Sequence, residues 1–194
     1  KILTDSGVYD LMGKPADEFP KTVENEDSGS IQISSELLKS VIDATSFAVS
    51  RDELKPAITG VFFRFNSNGL TAVSTDGHRL VRYTRRDFKP GSFTGDMIIP
   101  RKFLSFISTQ ITKGTVDLFF GKSHLTAKNG QDTILTRLID ERFPDYENVI
   151  PKDNNKTLSI DKNALLGAIR RVSIFSNKST HQVALSLNQD ECKI

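Results

Sequence analysis

Alternation of apolar and polar residues dominates the chain and predicts short β-strands. Val116, Leu118 and Phe120, for example, are separated by single residues, the spacing that places side chains on one face of a strand. Turn-forming residues such as Gly, Asn and Asp separate most of these segments. The pattern predicts strands over Gly60 to Phe65, Leu70 to Ser74, Arg79 to Thr84, Asp96 to Ile99, Thr115 to Phe120, His124 to Lys128 and Thr133 to Ile139.

Three segments instead show the three- and four-residue spacing of amphipathic helices. The first is capped by Ser34 or Ser35 and is predicted to reach about Val49. The second begins at Pro100 and the third is capped by Asp161. Their predicted inner faces are Leu38, Val41 and Ile42, then Phe103, Leu104 and Ile107, then Leu165, Ile169 and Val172.

The pattern also repeats along the chain. Ile31 to Phe47 aligns without a gap on Leu158 to Ile174, at an offset of 127 residues. Two further blocks align at offsets of 122 and 124 residues, namely Val61 to Leu70 on Val183 to Cys192 and Asp17 to Pro20 on Glu141 to Pro144. Agreement within five residues favours an internal duplication with a period of roughly 125 residues over a coincidence of amphipathic segments.

Composition limits the class of protein. With 37% hydrophobic and 26% charged residues, the chain is typical of globular proteins, and it has no apolar run near the roughly 18 residues that span a bilayer. No signal peptide is predicted, and the single Cys192 suits a reducing cytoplasm. Residues 1 to 30 carry three lysines and seven acidic residues, a net charge of −4, so the total of +2 leaves +6 for residues 31 to 194. The duplicated part is therefore the basic part.

One polar motif is concentrated between two predicted strands, at Thr75 to Leu80. Its Asp76-Gly77 pair favours a hairpin with a two-residue type I′ turn, because Gly readily adopts positive φ. An enzyme, in which Asp76 orients His78 as a general base, would need a nucleophile or a metal that the sequence does not offer. The three histidines lack metal-ligand spacing, and no phosphate-binding loop or nucleophile elbow occurs. No catalytic residue, cofactor or metal is predicted.

Three motifs occur in a fixed order: Thr75 to Leu80, Ile99 to Lys102 and Arg142 to Tyr146. Together they resemble the middle domain of the bacterial DNA polymerase III β subunits, the replicative sliding clamps. On this resemblance, residues 1–28 correspond to the last hairpin of a first clamp domain and its linker. Residues 29–153 correspond to a complete second domain, and residues 154–194 to the beginning of a third.

The resemblance implies an α+β DNA-clamp fold, with antiparallel sheets outside and two helices per domain lining a ring of two chains. Such a homodimer is a processivity factor without a catalytic site, which encircles duplex DNA and tethers the replicative polymerase. A sliding protein needs sequence-independent, salt-sensitive phosphate contacts. The residues expected to supply them are Lys39, Arg51, Arg101, Lys102, Arg170 and Arg171.

The resemblance also implies a peptide-binding pocket between the second and third domains. There the polymerase catalytic subunit, the clamp loader and repair proteins would dock short motifs that contain Leu and Phe. Apolar side chains would form the cleft and polar ones its rim. The residues implied are Lys55, Ile58, Thr75, Gly77, His78, Arg79, Leu80, Pro144, Asn148 and Val149.

Two other classes of protein stay open at this point. An enzyme that uses Asp76 and His78 would lose its activity on replacement of His78 by Ala. A monomeric β-rich binding module would have duplicated units that stack without forming a ring.

A clamp would act in the cytoplasm, on the nucleoid.

Overall fold

The computed structural model describes residues 1–18, 29–111, 113–178, 182–188 and 191–194. They form two compact units, Lys1–Tyr146 and Glu147–Ile194. The α-helices in these ranges are α1 (Ser35–Thr45) and α2 (Arg101–Gln110) in the first unit and α3 (Lys162–Ser173) in the second. None of the described helices is long and apolar enough to cross a membrane.

Short strands make up most of the remainder. In the first unit they are β1 (Ile2–Thr4), β2 (Gly7–Tyr9), β3 (Gly29–Ser34), β4 (Gly60–Asn66), β5 (Gly69–Thr75), β6 (Leu80–Arg85), β7 (Gly95–Pro100), β8 (Thr115–Phe120), β9 (His124–Asn129) and β10 (Asp132–Arg137). The second unit contains β11 (Ser186–Leu187) and β12 (Cys192–Lys193). The seven strands predicted from alternation are confirmed, with ends that shift by two residues at most.

The first unit is built on two four-stranded antiparallel sheets. Sheet I has the order β10-β9-β8-β3, and sheet II has the order β6-β5-β4-β7. The strands β4, β5 and β6 pair as successive hairpins, as do β8, β9 and β10, whereas β3 reaches β8 and β7 reaches β4 over longer connections. The predicted α+β fold with antiparallel sheets is confirmed.

One hydrophobic core joins the inner faces of both sheets to α1 and α2. Val41 of α1, Phe63 of β4, Leu104 of α2 and Val116 of β8 are each 1% exposed or less. Full burial of such a side chain contributes about 1.5–3 kcal/mol. Because the apolar stripes of the helices face this core, their charged residues lie on the opposite, exposed side.

Helix α1 is shorter than predicted. It ends at Thr45 and is followed by a 3-10 turn over Ser46–Ala48, whereas the sequence pattern predicts a helix to about Val49. The carbonyl oxygen of Thr45, which would bond to Val49 in a longer helix, accepts a hydrogen bond from Ser74 Oγ of β5 at 2.7 Å. A tertiary contact therefore ends the helix.

A second apolar layer covers part of the outer face of sheet II. The segment that follows β10 pairs with the edge strand β7, where Ile139 N donates to Ile98 O at 3.0 Å, and its later residues reach this face. Phe143 of this segment stacks on Phe62 of β4 with ring centroids 5.0 Å apart, and Tyr146 lies 6.2 Å from the same ring. Offset and tilted aromatic pairs at these distances are favourable. They fix the segment on the outer face of sheet II.

The structure supports the duplication. Helices α1 and α3 begin 127 residues apart, and each is capped by the preceding side chain, Ser34 or Asp161, which accepts the N–H three residues on. In β4 and β5, Phe65 pairs with Leu70, and at an offset of 122 Leu187 pairs with Cys192. The block from Asp17 to Pro20 lies partly outside the described residues.

Candidate functional site

The exposed faces of α1 and α2 lie side by side. Lys39 Nζ of α1 donates a hydrogen bond to Ser108 Oγ of α2 at 3.3 Å and pairs with Asp43 at 3.3 Å. Glu36 adds a second carboxylate in the first turn of α1. The side chain of Lys39 is 50% exposed, so it remains accessible, but its charge is largely balanced within its own helix.

The first turn of α2 is more positive. It begins with Arg101, which is half-buried, and the exposed Lys102, and it contains no acidic residue. Pro100 at the N-cap provides no side-chain hydrogen bond, so free N–H groups and two cations occur together. The helix dipole disfavours this placement in the absence of an anion, by about 0.3–1 kcal/mol for each cation. This end of α2 is therefore well suited to a phosphate backbone.

The other residues predicted to contact DNA are exposed. Arg51 lies in the loop after α1, where its neighbour Asp52 pairs with Lys55 at 3.9 Å. Arg170 and Arg171 lie in the last turn of α3, where the helix dipole favours cations. Both arginines belong to the second unit, and their contact with DNA stays a prediction.

The polar motif forms a loop that is longer than a type I′ turn. Thr75 pairs with Leu80, so residues 76–79 make a four-residue connection between β5 and β6. The predicted hairpin is confirmed, but the type I′ turn at Asp76-Gly77 is wrong, because such a turn would connect the strands by two residues. Gly77 does have a positive φ, +89°, which an L-residue with a side chain adopts only with strain.

Side chains close this loop. The carboxylate of Asp76 accepts the main-chain N–H groups of His78 and Arg79 at 3.0 and 3.1 Å. Thr75 Oγ1 accepts the N–H of Gly77 at 3.1 Å and donates to the carbonyl of Arg79 at 2.7 Å. Such local bonds compete with the main-chain pairing of a tight hairpin, which explains the longer loop. They also occupy Asp76, the group that an enzyme would need to orient His78.

The side chain of Arg79 links the loop to the end of α1. Its Nε donates to Asp76 Oδ2 at 3.1 Å, and its Nη2 donates to the carbonyl oxygen of Phe47 at 3.1 Å. The guanidinium carbon lies 5.6 Å from the centroid of the Phe47 ring, within range of a cation–π interaction.

Thr75 and Leu80 lie on the outer face of sheet II. Val73, two residues before Thr75, pairs with Phe62, and neither belongs to the main core. Because alternate residues share a face and paired residues share it too, Thr75 and Leu80 point to the same side as Phe62. Phe143 covers Phe62 there. Leu80 is only half-buried, so it extends the apolar layer toward solvent.

Two more predicted pocket residues lie on the connection between α1 and β4. The hydrogen bond from Ser50 N to Ile58 O, 3.0 Å long, closes this connection, and Lys55 projects from it exposed. Ile58 is 7% exposed and packs as an ordinary core residue. Pro144 follows the stacked Phe143 and is exposed.

Asn148 and Val149 belong to the second unit, in a 3-10 turn over Glu147–Val149. Val149 is 68% exposed. With Leu80 half-buried and Pro144 exposed, three of the four predicted apolar residues of the pocket are accessible, which weighs against core packing as their main role.

The pKa of Asp76 is lowered from its usual value of 3.8, chiefly by the main-chain N–H groups of His78 and Arg79, with a contribution from the charge of Arg79. Asp76 therefore stabilises the fold above the pKa of an unfolded aspartate, about 3.9, and loses this contribution as the pH falls through its lowered value. For Asp76→Asn, the loss of unfolding free energy relative to wild type is expected to be largest at neutral pH and to shrink below about pH 4.

Chemical denaturation across a pH series measures this difference. Asp132→Asn, at an exposed position that begins β10, is the matched control and is expected to show little change at any pH. A destabilisation by Asp76→Asn that does not vary with pH would contradict the electrostatic role of the carboxylate.

Two contributors to this site escape prediction from the sequence. Phe47 has no local signal, since its partner Arg79 is 32 residues away. The stacking of Phe143 on Phe62 likewise depends on the path of segment 138–146. The capping role of Asp76 had a signal, because Asp and Thr beside Gly often form side-chain turns.

Comparisons with known proteins agree with this architecture. The family model of the DNA polymerase III beta subunit, central domain, matches residues 32–145, and that of its C-terminal domain matches residues 147–194. The beta sliding clamp of Pseudomonas aeruginosa is 31% identical over 100% of this chain and 54% of its own length. The beta sliding clamp of Treponema pallidum is 30% identical over 93% of this chain and 49% of its own length.

Solved structures are similar as well. A DNA polymerase sliding clamp from Pseudomonas aeruginosa superposes with a TM-score of 0.83 at 30% identity, covering 92% of this chain and 49% of the other. One from Bacillus subtilis gives 0.79 at 28% identity, covering 91% and 47%. The chain thus spans about half the length of the relatives it matches. Since a family model covers more than half of its residues, the chain belongs to the DNA polymerase III beta-subunit family.

Proposed function

We propose that the protein that contains this chain is a DNA sliding clamp. The observation that carries the proposal is the match of two adjacent clamp domains to one chain, with duplicated caps and strand register. In the first unit, the two sheets and the helices enclose one core, which leaves a polar helical face on one side. In a ring of two chains, such faces would line the channel.

DNA in this channel would be held without base recognition. Lys39, Arg101 and Lys102 of the first unit offer point charges for phosphates, and so does Arg51 in the loop after α1. Arg170 and Arg171 would do the same from the third domain. Contacts of this kind depend on salt and carry no sequence information, as sliding requires.

The second part of the proposal is peptide docking. Leu80, Pro144 and Val149 would receive the Leu and Phe side chains of partners, with Thr75, Gly77, His78, Arg79, Lys55 and Asn148 at the rim and Ile58 behind it. The polymerase catalytic subunit, the clamp loader and repair proteins would be the partners, in the cytoplasm on the nucleoid. The proposed domains are 1–28, 29–153 and 154–194, the middle one complete.

The clamp acts in this proposal as a processivity factor rather than an enzyme. The engagement of both Asp76 oxygens by the loop supports this choice over an Asp76–His78 catalytic pair.

The helical face is tested by removing a single charge. In the natural full-length protein, Lys102→Gln is expected to lower the slope of log affinity against log salt by about 0.9, the value for one lost phosphate contact. Fluorescence anisotropy with a short labelled duplex measures the slope.

Lys128→Gln is the matched control. Leu125 and Ala127 of β9 face the core, so Lys128, the next residue, lies on the outer face of sheet I. Its Nζ is 4.9 Å from the centroid of the Phe119 ring. The control removes the same charge and is expected to leave the slope unchanged. Equal slopes for the two variants would mean that α2 does not face DNA.

A further inference from the structure

The side chain of Arg79 is held from three sides. Asp76 binds its Nε, the carbonyl oxygen of Phe47 binds its Nη2, and the Phe47 ring lies beneath the guanidinium. The Asp76 side chain is 22% exposed, whereas that of Arg79 is 58% exposed. The guanidinium is thus committed to the end of α1 although much of its surface remains in water.

Phe47 is unusual for a large aromatic residue because it is 57% exposed. Burial in the core therefore does not explain why an aromatic side chain occupies this position. The contact that the structure records for this ring is the cation–π interaction with the Arg79 guanidinium. The ring therefore adds a second contact that restrains the Arg79 side chain, besides the ion pair with the Asp76 carboxylate.

We propose that Phe47 is a positioning residue for peptide binding, which acts by holding Arg79 and, through it, the loop 76–79 in the conformation that receives the partner. This inference rests on the proposed peptide-docking function. Phe47 itself lies outside the predicted pocket set.

The geometry explains how one ring can act on the loop. The end of α1 and the 3-10 turn after it receive two hydrogen bonds from the same hairpin, from Ser74 Oγ to the Thr45 carbonyl and from Arg79 Nη2 to the Phe47 carbonyl. Ser74 anchors the strand, whereas Arg79 anchors the loop that follows it. A loop held before the partner arrives has less conformational entropy to lose on binding.

The test replaces the Phe47 ring by an apolar side chain of similar volume. Phe47→Leu retains the main-chain carbonyl and most of the apolar volume but removes the π face, while Phe47→Tyr keeps that face. In the natural full-length protein, Phe47→Leu is expected to weaken binding of a short fluorescein-labelled peptide with a Leu-Leu-Phe segment by roughly two- to fivefold. Amide hydrogen exchange at Gly77, His78 and Arg79 is expected to accelerate by a similar factor. Phe47→Tyr is expected to match wild type in both measurements.

Phe106→Leu is the matched control, since Phe106 of α2 is 52% exposed and lies on the helical face. It is expected to change neither peptide affinity nor exchange in the loop. Wild-type affinity and exchange in Phe47→Leu would overturn the positioning role while leaving the docking proposal intact. Absence of peptide binding by the wild-type protein would instead overturn the docking proposal, and with it the role of Phe47.

Discussion

Replacement of Leu80 by Asp is expected to weaken binding of a Leu- and Phe-containing peptide at least tenfold in the natural full-length protein. Leu80 lies half-buried at the edge of the apolar layer on the outer face of sheet II. An apolar anchor that docked there would remove the new carboxylate from water without giving it a partner. The desolvation penalty in proteins is about 1–3 kcal/mol for a neutral polar group and larger for a carboxylate. It is therefore expected to exceed the roughly 1.4 kcal/mol that corresponds to a tenfold loss.

Leu135→Asp provides the comparison. Leu135 is 38% exposed on β10 of sheet I. It therefore tests the same Leu-to-Asp replacement at a partly exposed strand residue of the other sheet. Isothermal titration calorimetry is expected to give wild-type affinity for Leu135→Asp. Leu80→Ala, which introduces no charge, separates loss of contact from misfolding and is expected to weaken binding by a smaller factor. Wild-type affinity in both Leu80 variants would remove this residue from the docking site.

Much of the fold can be predicted from the sequence because local patterns and tertiary structure agree. In β8, Val116, Leu118 and Phe120 alternate and all three are buried. The caps of α1 and α3 are also local, since Ser34 and Asp161 each bond to the N–H three residues later. Such elements require no knowledge of distant residues.

The predictions fail where contacts between residues far apart in the sequence determine the local structure. Helix α1 stops at Thr45 because Ser74, 29 residues away, donates to its carbonyl oxygen. Arg79, in the loop after β5, is likewise held by a hydrogen bond to the carbonyl oxygen of Phe47, 32 residues away, which the motif does not indicate. No local pattern carries these contacts, although both arise from ordinary hydrogen bonding.

The candidate site shows the same division. Residues Thr75 to Leu80 are contiguous, so a motif in the sequence is sufficient to bring them together. Pro144 reaches the vicinity of the outer face only through the stacking of Phe143 on Phe62. The pairing of Lys39 with Asp43, four residues along the same helix, has a local signal, whereas its hydrogen bond to Ser108, 69 residues away, has none.

The charges on the helices bear on how DNA would be retained. The sequences of α1 and α2 contain three basic and two acidic residues, a net charge of only +1. Direct binding that displaces few counterions is weak at physiological salt. A protein with such a channel would stay on DNA because the ring is closed around it, and its retention would depend on the topology of the DNA.

The most direct measurement uses the full-length protein loaded on a nicked circular plasmid by the clamp loader proposed as its partner. The complex is separated by gel filtration before and after a restriction enzyme cuts the circle once. The clamp proposal predicts comigration with the circle and nearly complete release from the linear product, because the ring slides off the ends. Equal retention on circular and linear DNA would contradict topological linkage and the central claim that this chain is part of a sliding clamp.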